Sequence, residues 1–400
     1  MSNVPDIRFK GFTDAWEQRK LGDVVKITMG QSPNSINYTN NPDDYILVQG
    51  NADMKNGFVH PRVWTTQITK TAEVGDIILS VRAPVGDVAK TDYDIVLGRG
   101  VAGIKGNQFI FQLLKKYKED GYWKKISTGS TFESINSNII KEAKLLLPSA
   151  KEQNYLGDFF YEMDQTITLL QRELDSLKII KGSLLHKLFP GINEQNPCIR
   201  LSNFKENWKS VKLADISNRV TRKNKDLESK IPLTISALYG LVDQTQYFSK
   251  QIASERLENY ILIKKGEFAY NKSYSNGYPF GAVKRLDNYD KGVLSSLYIV
   301  FELLSIVDSN FMKYYFETKL WHKEVQKKSA EGARNHGLLN ITATDFLSLK
   351  IKMPNDINEQ VKIGEYFKSL DLKIDKLNQE IILYQKMKKA FLQKLFPKGD

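Results

Sequence analysis

The chain has 400 residues, 41% hydrophobic and 26% charged, the balance of a soluble globular protein long enough for two to four cores. Lys and Arg exceed Asp and Glu by 12, which suits a polyanionic partner, and the single cysteine, Cys198, excludes both an intrachain disulfide and a cysteine-based metal site. No apolar run reaches the 18 or so residues of a membrane span, and MSNVPDIRFKGFTDAWEQ at the start lacks a signal-peptide core, so a cytoplasmic protein without membrane contact is expected. Residues 1–190 carry 24 basic and 22 acidic side chains and residues 191–400 carry 34 and 24, so the surplus lies in the second half, +10 against +2.

Residues 1–150 read as a mixed α/β domain. The runs DYILVQG, GDIILSV and DIVLGRGVAGI are alternating or wholly apolar with Gly and Pro punctuation, which predicts strands, and FIFQLLKKYKEDGYW predicts a helix. Gly98, Gly100 and Gly103 spell G-x-G-x-x-G with Asp120 further on, but IKGNQ stands where a dinucleotide-binding helix would have to run, so no cofactor site is expected there. NNPDDY, residues 40–45, matches the Asn-Pro-Pro-Tyr loop of amino-methyltransferases only loosely and reads as a turn. The polar loops MGQSPNS (Gln31, Ser32, Asn34), SVRAPVG (Arg82) and GRG (Arg99) hold the side-chain types that pair with base edges and phosphates.

Residues 151–190 predict one long helix. Leu156, Phe160, Met163, Ile167, Leu170, Leu174 and Leu177 recur in alternating steps of four and three, a coiled-coil seam that resumes at Leu184 and Leu188 after one missed rung occupied by Lys181. At 1.5 Å per residue such a helix is about 57 Å long. Pro148 precedes it and Phe189-Pro190 stops it, since proline lacks the amide and its ring clashes with the preceding turn. Residues 191–206, GINEQNPCIRLSNFKE, read as a linker.

Residues 207–356 predict a second mixed domain, with a helical stretch at NFMKYYFETKLWHKEVQKK. Its polar loops are NRVTRKNK (Arg219, Thr221, Arg222, Lys223), NKSYSNGYP (Lys272, Tyr274, Asn276, Tyr278) and EGARNHG (Arg334, Asn335, His336). Residues 357–400 repeat the long helix, with Ile363, Phe367, Leu370, Ile374, Leu377, Ile381 and Tyr384 in the seam and Lys388 at the same missed rung.

The repeat is direct. LHKLFP closes the first helix and LQKLFP the second; at a shift of 207, residues 152–190 match 359–397 at 14 of 39 positions, and WEQRKLGDV at Trp16 matches WKSVKLADI at Trp208. The chain is therefore a tandem duplication of a mixed α+β domain followed by a long helix. If the two helices pair as an antiparallel coiled coil, the halves acquire pseudo-twofold symmetry and the domains stand at the two ends of a rod. Lysines in such a seam cost stability and fix register. His60, His186, His322 and His336 are scattered, and no P-loop or Gly-x-Ser-x-Gly elbow is present, so nothing reads as an active site.

Together, FKGFTDAWEQRKLGDV, LSNFKENWKSVKLADI, GVLSSLYIVF, GARNHGLLNI and the paired EQ-to-KLFP helices resemble the specificity subunits of type I restriction-modification systems, the HsdS family, over the whole chain. The resemblance implies two target recognition domains that read a bipartite, asymmetric site in double-stranded DNA. It implies that the conserved helices space these domains and dock two methyltransferase subunits, with restriction/translocase subunits completing a complex that methylates adenine and cleaves. It implies a non-catalytic chain that binds no cofactor, with S-adenosylmethionine, ATP and Mg on the partner subunits. Two alternatives stay open: a coiled-coil adaptor without a recognition role, and the specificity protein of a complex that only methylates.

Overall fold

The computed structural model describes residues 3–127, 133–201, 204–236, 239–248, 257–273, 277–329 and 339–397. The chain folds into two compact units, residues 1–171 with 379–400, and residues 172–378. The units do not divide where the long helices begin. Each long helix, Ala150–Leu188 and Ile357–Lys394, begins in one unit and finishes in the other.

Both units repeat one plan. In the first, Glu17–Lys20 pairs antiparallel with Lys144–Leu147 and so joins the start of the segment that precedes the long helix to its end. Its larger sheet carries the strand order Lys26–Met29, Val101–Lys105, Ile77–Ser80, Val88–Lys90, and extends through two short strands, Phe58–Val59 and Met54–Lys55. A second sheet of five strands is built around Tyr45–Val48 and Ile95–Leu97, which run parallel. In the second unit Lys209–Lys212 pairs with Lys350–Met353, and the main sheet has the same order in its own strands: Ser217–Val220, Ile299–Leu303, Phe268–Asn271, Ala282–Arg285. The predicted helical run after residue 309 is broken into Ser309–Tyr315 and His322–Lys328. Thr318 turns the chain between them: its hydroxyl donates to the Tyr315 carbonyl (2.6 Å) and accepts the Leu320 amide (3.2 Å), and buried Trp321 follows.

The Phe-Pro ends of the long helices explain the exchange. Phe396, which ends the second helix, stacks on Phe109 (5.3 Å, 24°) and meets Trp16 edge-on (5.9 Å, 79°) in the core of the first unit. Phe189, which ends the first helix, packs on Trp208 (6.1 Å, 87°) and Phe311 (5.3 Å) in the core of the second. Each of these side chains is about 1% exposed, so each core is completed by the helix that starts outside it.

Within each unit the helix segments run antiparallel. In the first, Phe160 meets Phe396 and Asp164 meets Lys388; in the second, Glu173 meets Lys373 (3.1 Å) and Phe189 meets Phe367. Every apolar seam residue named from the sequence is covered. Leu156, Phe160, Met163, Leu174, Ile363, Phe367, Leu377 and Ile381 are buried, and Ile167, Leu170, Leu177, Leu370, Ile374 and Tyr384 half-buried.

The two seam lysines are answered by two aspartates at equivalent repeat positions. Lys388 Nζ donates to Asp164 Oδ1 (2.5 Å), and Asp164 Oδ2 also accepts Gln112 (2.8 Å) and Lys115 (3.4 Å). Lys181 Nζ reaches Asp371 (2.7 Å) and Glu317 (2.8 Å), and the Tyr314 hydroxyl donates to Asp371 (2.8 Å). The first cluster therefore holds two ammoniums and one carboxylate, the second one ammonium and two carboxylates. Burial together with the neighbouring Lys115 pushes the Lys388 ammonium down to about 8. Burial also acts on Lys181, but its two carboxylates outweigh it and hold that ammonium above its usual range.

Residues 191–206 do more than link. The Arg200 guanidinium forks onto Glu359 (2.9 and 2.6 Å), the Ile199 amide donates to the Lys187 carbonyl (2.9 Å), and Lys352 Nζ donates to the carbonyls of Ile192 and Glu194. The first unit makes the matching fork from Arg8 to Glu152 (both 2.7 Å). Both acceptor carboxylates lie in the first turn of a long helix and are about 1% exposed, so the planar bidentate pair offsets their burial.

A pH dependence follows from Lys388. Its folded pKa lies below its unfolded one, so between pH about 8 and 10.5 the unfolded chain binds more protons and this group adds stability as pH rises. In urea titrations across that window, Lys388→Met should lack this part of the rise seen in the wild type; equal slopes for both proteins would contradict the assignment.

Candidate nucleic-acid interface

In the first unit four strands end beside one another and their following residues line a cleft of about 420 Å³. Lys26–Met29 leads to Ser32, Tyr45–Val48 to Gln49, Gly50 and Asn51, Ile77–Ser80 to Arg82, and Ile95–Leu97 to Arg99 and Gly100. Backbone bonds tie these loops together: Gln31 N–H donates to the Leu97 carbonyl (2.8 Å), Gly98 N–H to Val48 (2.8 Å), and Val81 N–H to Gly100 (2.8 Å). Side chains complete the tie. The Arg99 amide donates to Ser32 Oγ (3.1 Å), the Ser80 hydroxyl reaches the carbonyls of Arg82 (3.0 Å) and Pro84 (2.9 Å), and buried Asp53 accepts the amides of Gln49 (2.8 Å) and Gly50 (3.3 Å). The glycines of the G-x-G-x-x-G string serve this close approach. A Cβ on Gly100 would stand 2.0 Å from the Gln49 carbonyl oxygen, and strand Val101–Lys105 follows in place of a helix.

Three of the five candidates from the first domain, Ser32, Arg82 and Arg99, thus line one cleft. Both arginines are exposed, and among the described residues neither guanidinium makes an ion pair. Gln31 and Asn34 serve the loop itself: the Gln31 carbonyl accepts Thr69 Oγ1 (2.5 Å), and Asn34 Oδ1 caps the turn at Ile36 (3.2 Å). Tyr38, Gln49, Gly50 and Asn51 are lining residues that loop composition did not single out. For Gln49, Gly50 and Asn51 the available signal was their place directly after a strand, as in YILVQGN; Tyr38 opens a short strand of its own and carried no such signal.

The second unit distributes its candidates differently. Arg222 Nη2 is held by Glu267 (2.6 and 2.8 Å), a buried carboxylate that also accepts the Lys264 amide (2.8 Å), and Lys223 Nζ donates to the Asn259 carbonyl (2.7 Å). These two side chains secure the fold of their loop. Arg219 is exposed on the edge strand Ser217–Val220, Thr221 follows it at the surface, and Lys272 and Tyr278 are half-buried. Tyr274, Asn276, Arg334, Asn335 and His336 lie outside the described residues. A cavity of about 440 Å³ is lined by Lys181, Lys284, Arg285, Lys313, Asp287 and Asp371 among others, but its charges largely neutralise one another, as Arg285 (2.6 Å) and Lys313 (2.8 Å) do on Asp287.

The loops that follow corresponding strands have therefore diverged. Two residues past Ile77–Ser80 stands Arg82, and two past Phe268–Asn271 stands Ser273; two past Ile95–Leu97 stands Arg99, and two past Lys291–Leu294 stands Ser296.

Sequence comparison accounts for this repeated frame with different loops. The type I restriction modification DNA specificity domain matches residues 13–178 and again residues 205–383. The chain belongs to that family. It is similar to the type I restriction enzyme MjaVIII specificity subunit of Methanocaldococcus jannaschii, 20% identical over 95% of this chain and 92% of that protein. It is also 31% identical to the putative type I restriction enzyme MjaX specificity subunit of the same organism, over 44% of this chain, a match that spans less than half, 43%, of that relative. The crystal structure of the type I restriction-modification system S subunit from M. genitalium has the same fold, with a TM-score of 0.64 at 16% identity over 99% of this chain and 100% of that one. Two specificity domains and two long helices are thus the family architecture, and the resemblance read from the sequence holds.

The two kinds of arginine separate by experiment. Arg222→Ala leaves the Glu267 carboxylate buried without its cation and should lower stability by about 1–3 kcal/mol in denaturant titration. Arg82→Ala removes an exposed side chain that makes no ion pair among the described residues and should stay within about 0.5 kcal/mol of wild type. The reverse order of effects would show that the ion pair is misassigned.

Proposed function

We propose that this chain is the non-catalytic DNA-recognition subunit of a type I restriction-modification complex, reading a bipartite, asymmetric site in double-stranded DNA. The observation that carries this reading is the pair of specificity domains on one repeated helix frame whose strand-end loops differ, arginine in one unit and serine in the other. Equal readers would favour a palindrome; unlike readers favour two unlike half-sites with an unread gap between them. Arginine and amide side chains at strand ends suit base edges, while the surplus charge of the second half suits phosphates.

Methylation of adenine, and cleavage, belong in this reading to partner subunits that dock on the long helices and carry S-adenosylmethionine, ATP and Mg. The chain supplies the address. A pure adaptor would have no need of a cleft whose guanidiniums make no ion pair among the described residues.

Two measurements test the proposal. Genomic DNA from cells carrying the chain with its partner methyltransferase subunits should show methylated adenines within one two-part asymmetric motif that disappears when the chain is deleted; methylation that persists unchanged would sink the role. In binding titrations of the assembled complex on its own site, Arg82→Ala or Arg99→Ala should reduce affinity, and the dependence of log affinity on log salt should fall by no more than about one. Unaltered affinity for both variants would remove the cleft from the DNA interface.

A further inference from the structure

We infer that the cleft of the first unit reads guanine, taking the major-groove edge of one or two guanines in the half-site that this unit contacts; the inference rests on the DNA-recognition role proposed above. The cleft presents two guanidiniums, Arg82 and Arg99, on loops tied by the Val81 to Gly100 backbone bond (2.8 Å). A guanidinium donates through a planar fork and accepts nothing. Guanine offers two acceptors, O6 and N7, on its major-groove edge, whereas adenine places an amino donor there that an arginine fork would meet donor to donor.

Phosphate is the competing acceptor, and three features favour a base edge. Among the described residues the lining contains neither lysine nor carboxylate, so the positive charge is confined to planar forks. The flanking groups, Gln49 and Asn51, are amides with both donors and acceptors, which suit base edges better than an all-acceptor phosphate. The loops are held before any ligand arrives, by Ser32 on the Arg99 amide and by Ser80 on the Arg82 carbonyl, so the forks start from fixed backbone. At the corresponding positions the second unit carries Ser273 and Ser296, so this pair of arginine forks is not repeated there.

The test compares the methylated motif in cells that carry the partner methyltransferase subunits with wild-type chain, Arg82→Lys or Arg99→Lys. Lysine keeps the charge and loses the fork. The wild-type motif should contain guanine in one half. Each lysine variant should still methylate native sites but admit another base at one guanine position of that half, with discrimination falling about tenfold or more while the other half stays intact. A motif without guanine in either half would overturn the inference, as would lysine variants that retain the motif in full. Arg82→Ala and Arg99→Ala that weaken methylation evenly over all sites, with the motif unchanged, would assign the arginines to phosphates and equally overturn it, while leaving the recognition role standing. Methylation indifferent to the presence of the chain would instead defeat the recognition role itself.

Discussion

The structure depends on the exchange of helix ends. Phe189 and Phe396 are each buried in the core of the unit that their own helix does not start from, beside Trp208 and Phe311 in one case and Trp16 and Phe109 in the other. Removing a buried phenylalanine from a packed core costs about 3–5 kcal/mol, so neither unit is complete without the far end of the other repeat's helix. The Arg8 to Glu152 and Arg200 to Glu359 forks fasten the near ends. Each helix is consequently anchored at both ends, one end in each core.

The ionic clusters in the seams make the pairing specific. An apolar four-three stripe tolerates sliding by a heptad, whereas Lys388 with Asp164 and Lys181 with Asp371 meet only in one antiparallel register. Their third members, Lys115 and Glu317, come from the mixed α/β part of each unit and have opposite charge. Helix pairing and domain docking are thus set by the same small group of side chains in each unit, while the charge balance differs between them.

The frame was legible in the sequence because it is local and repeated: heptad spacing gives the helices, proline and Phe-Pro give their ends, and the shift of 207 shows that they are equivalent. Other features depend on partners far along the chain. Arg222 looks like a ligand-binding arginine until Glu267, 45 residues away, is brought against it. The segment 191–206 has linker composition, yet Arg200 finds Glu359 across 159 residues. The cleft joins four loops between residues 32 and 100, so residue type suggested Ser32, Arg82 and Arg99 one by one, but only the sheet order brings them together and adds Gln49 and Asn51. Asp164 and Asp371 stood among the repeated identities, but without the antiparallel register nothing marked them as the partners of the seam lysines.

Each core is completed by the helix end of the other repeat. The most direct measurement is denaturant titration of Phe189→Ala and Phe396→Ala beside a control at an exposed position of the second long helix, Leu383→Ala. Each phenylalanine variant should lose about 3–5 kcal/mol and the control no more than about 0.5 kcal/mol. Phenylalanine variants as stable as the control would contradict this exchange of helix ends.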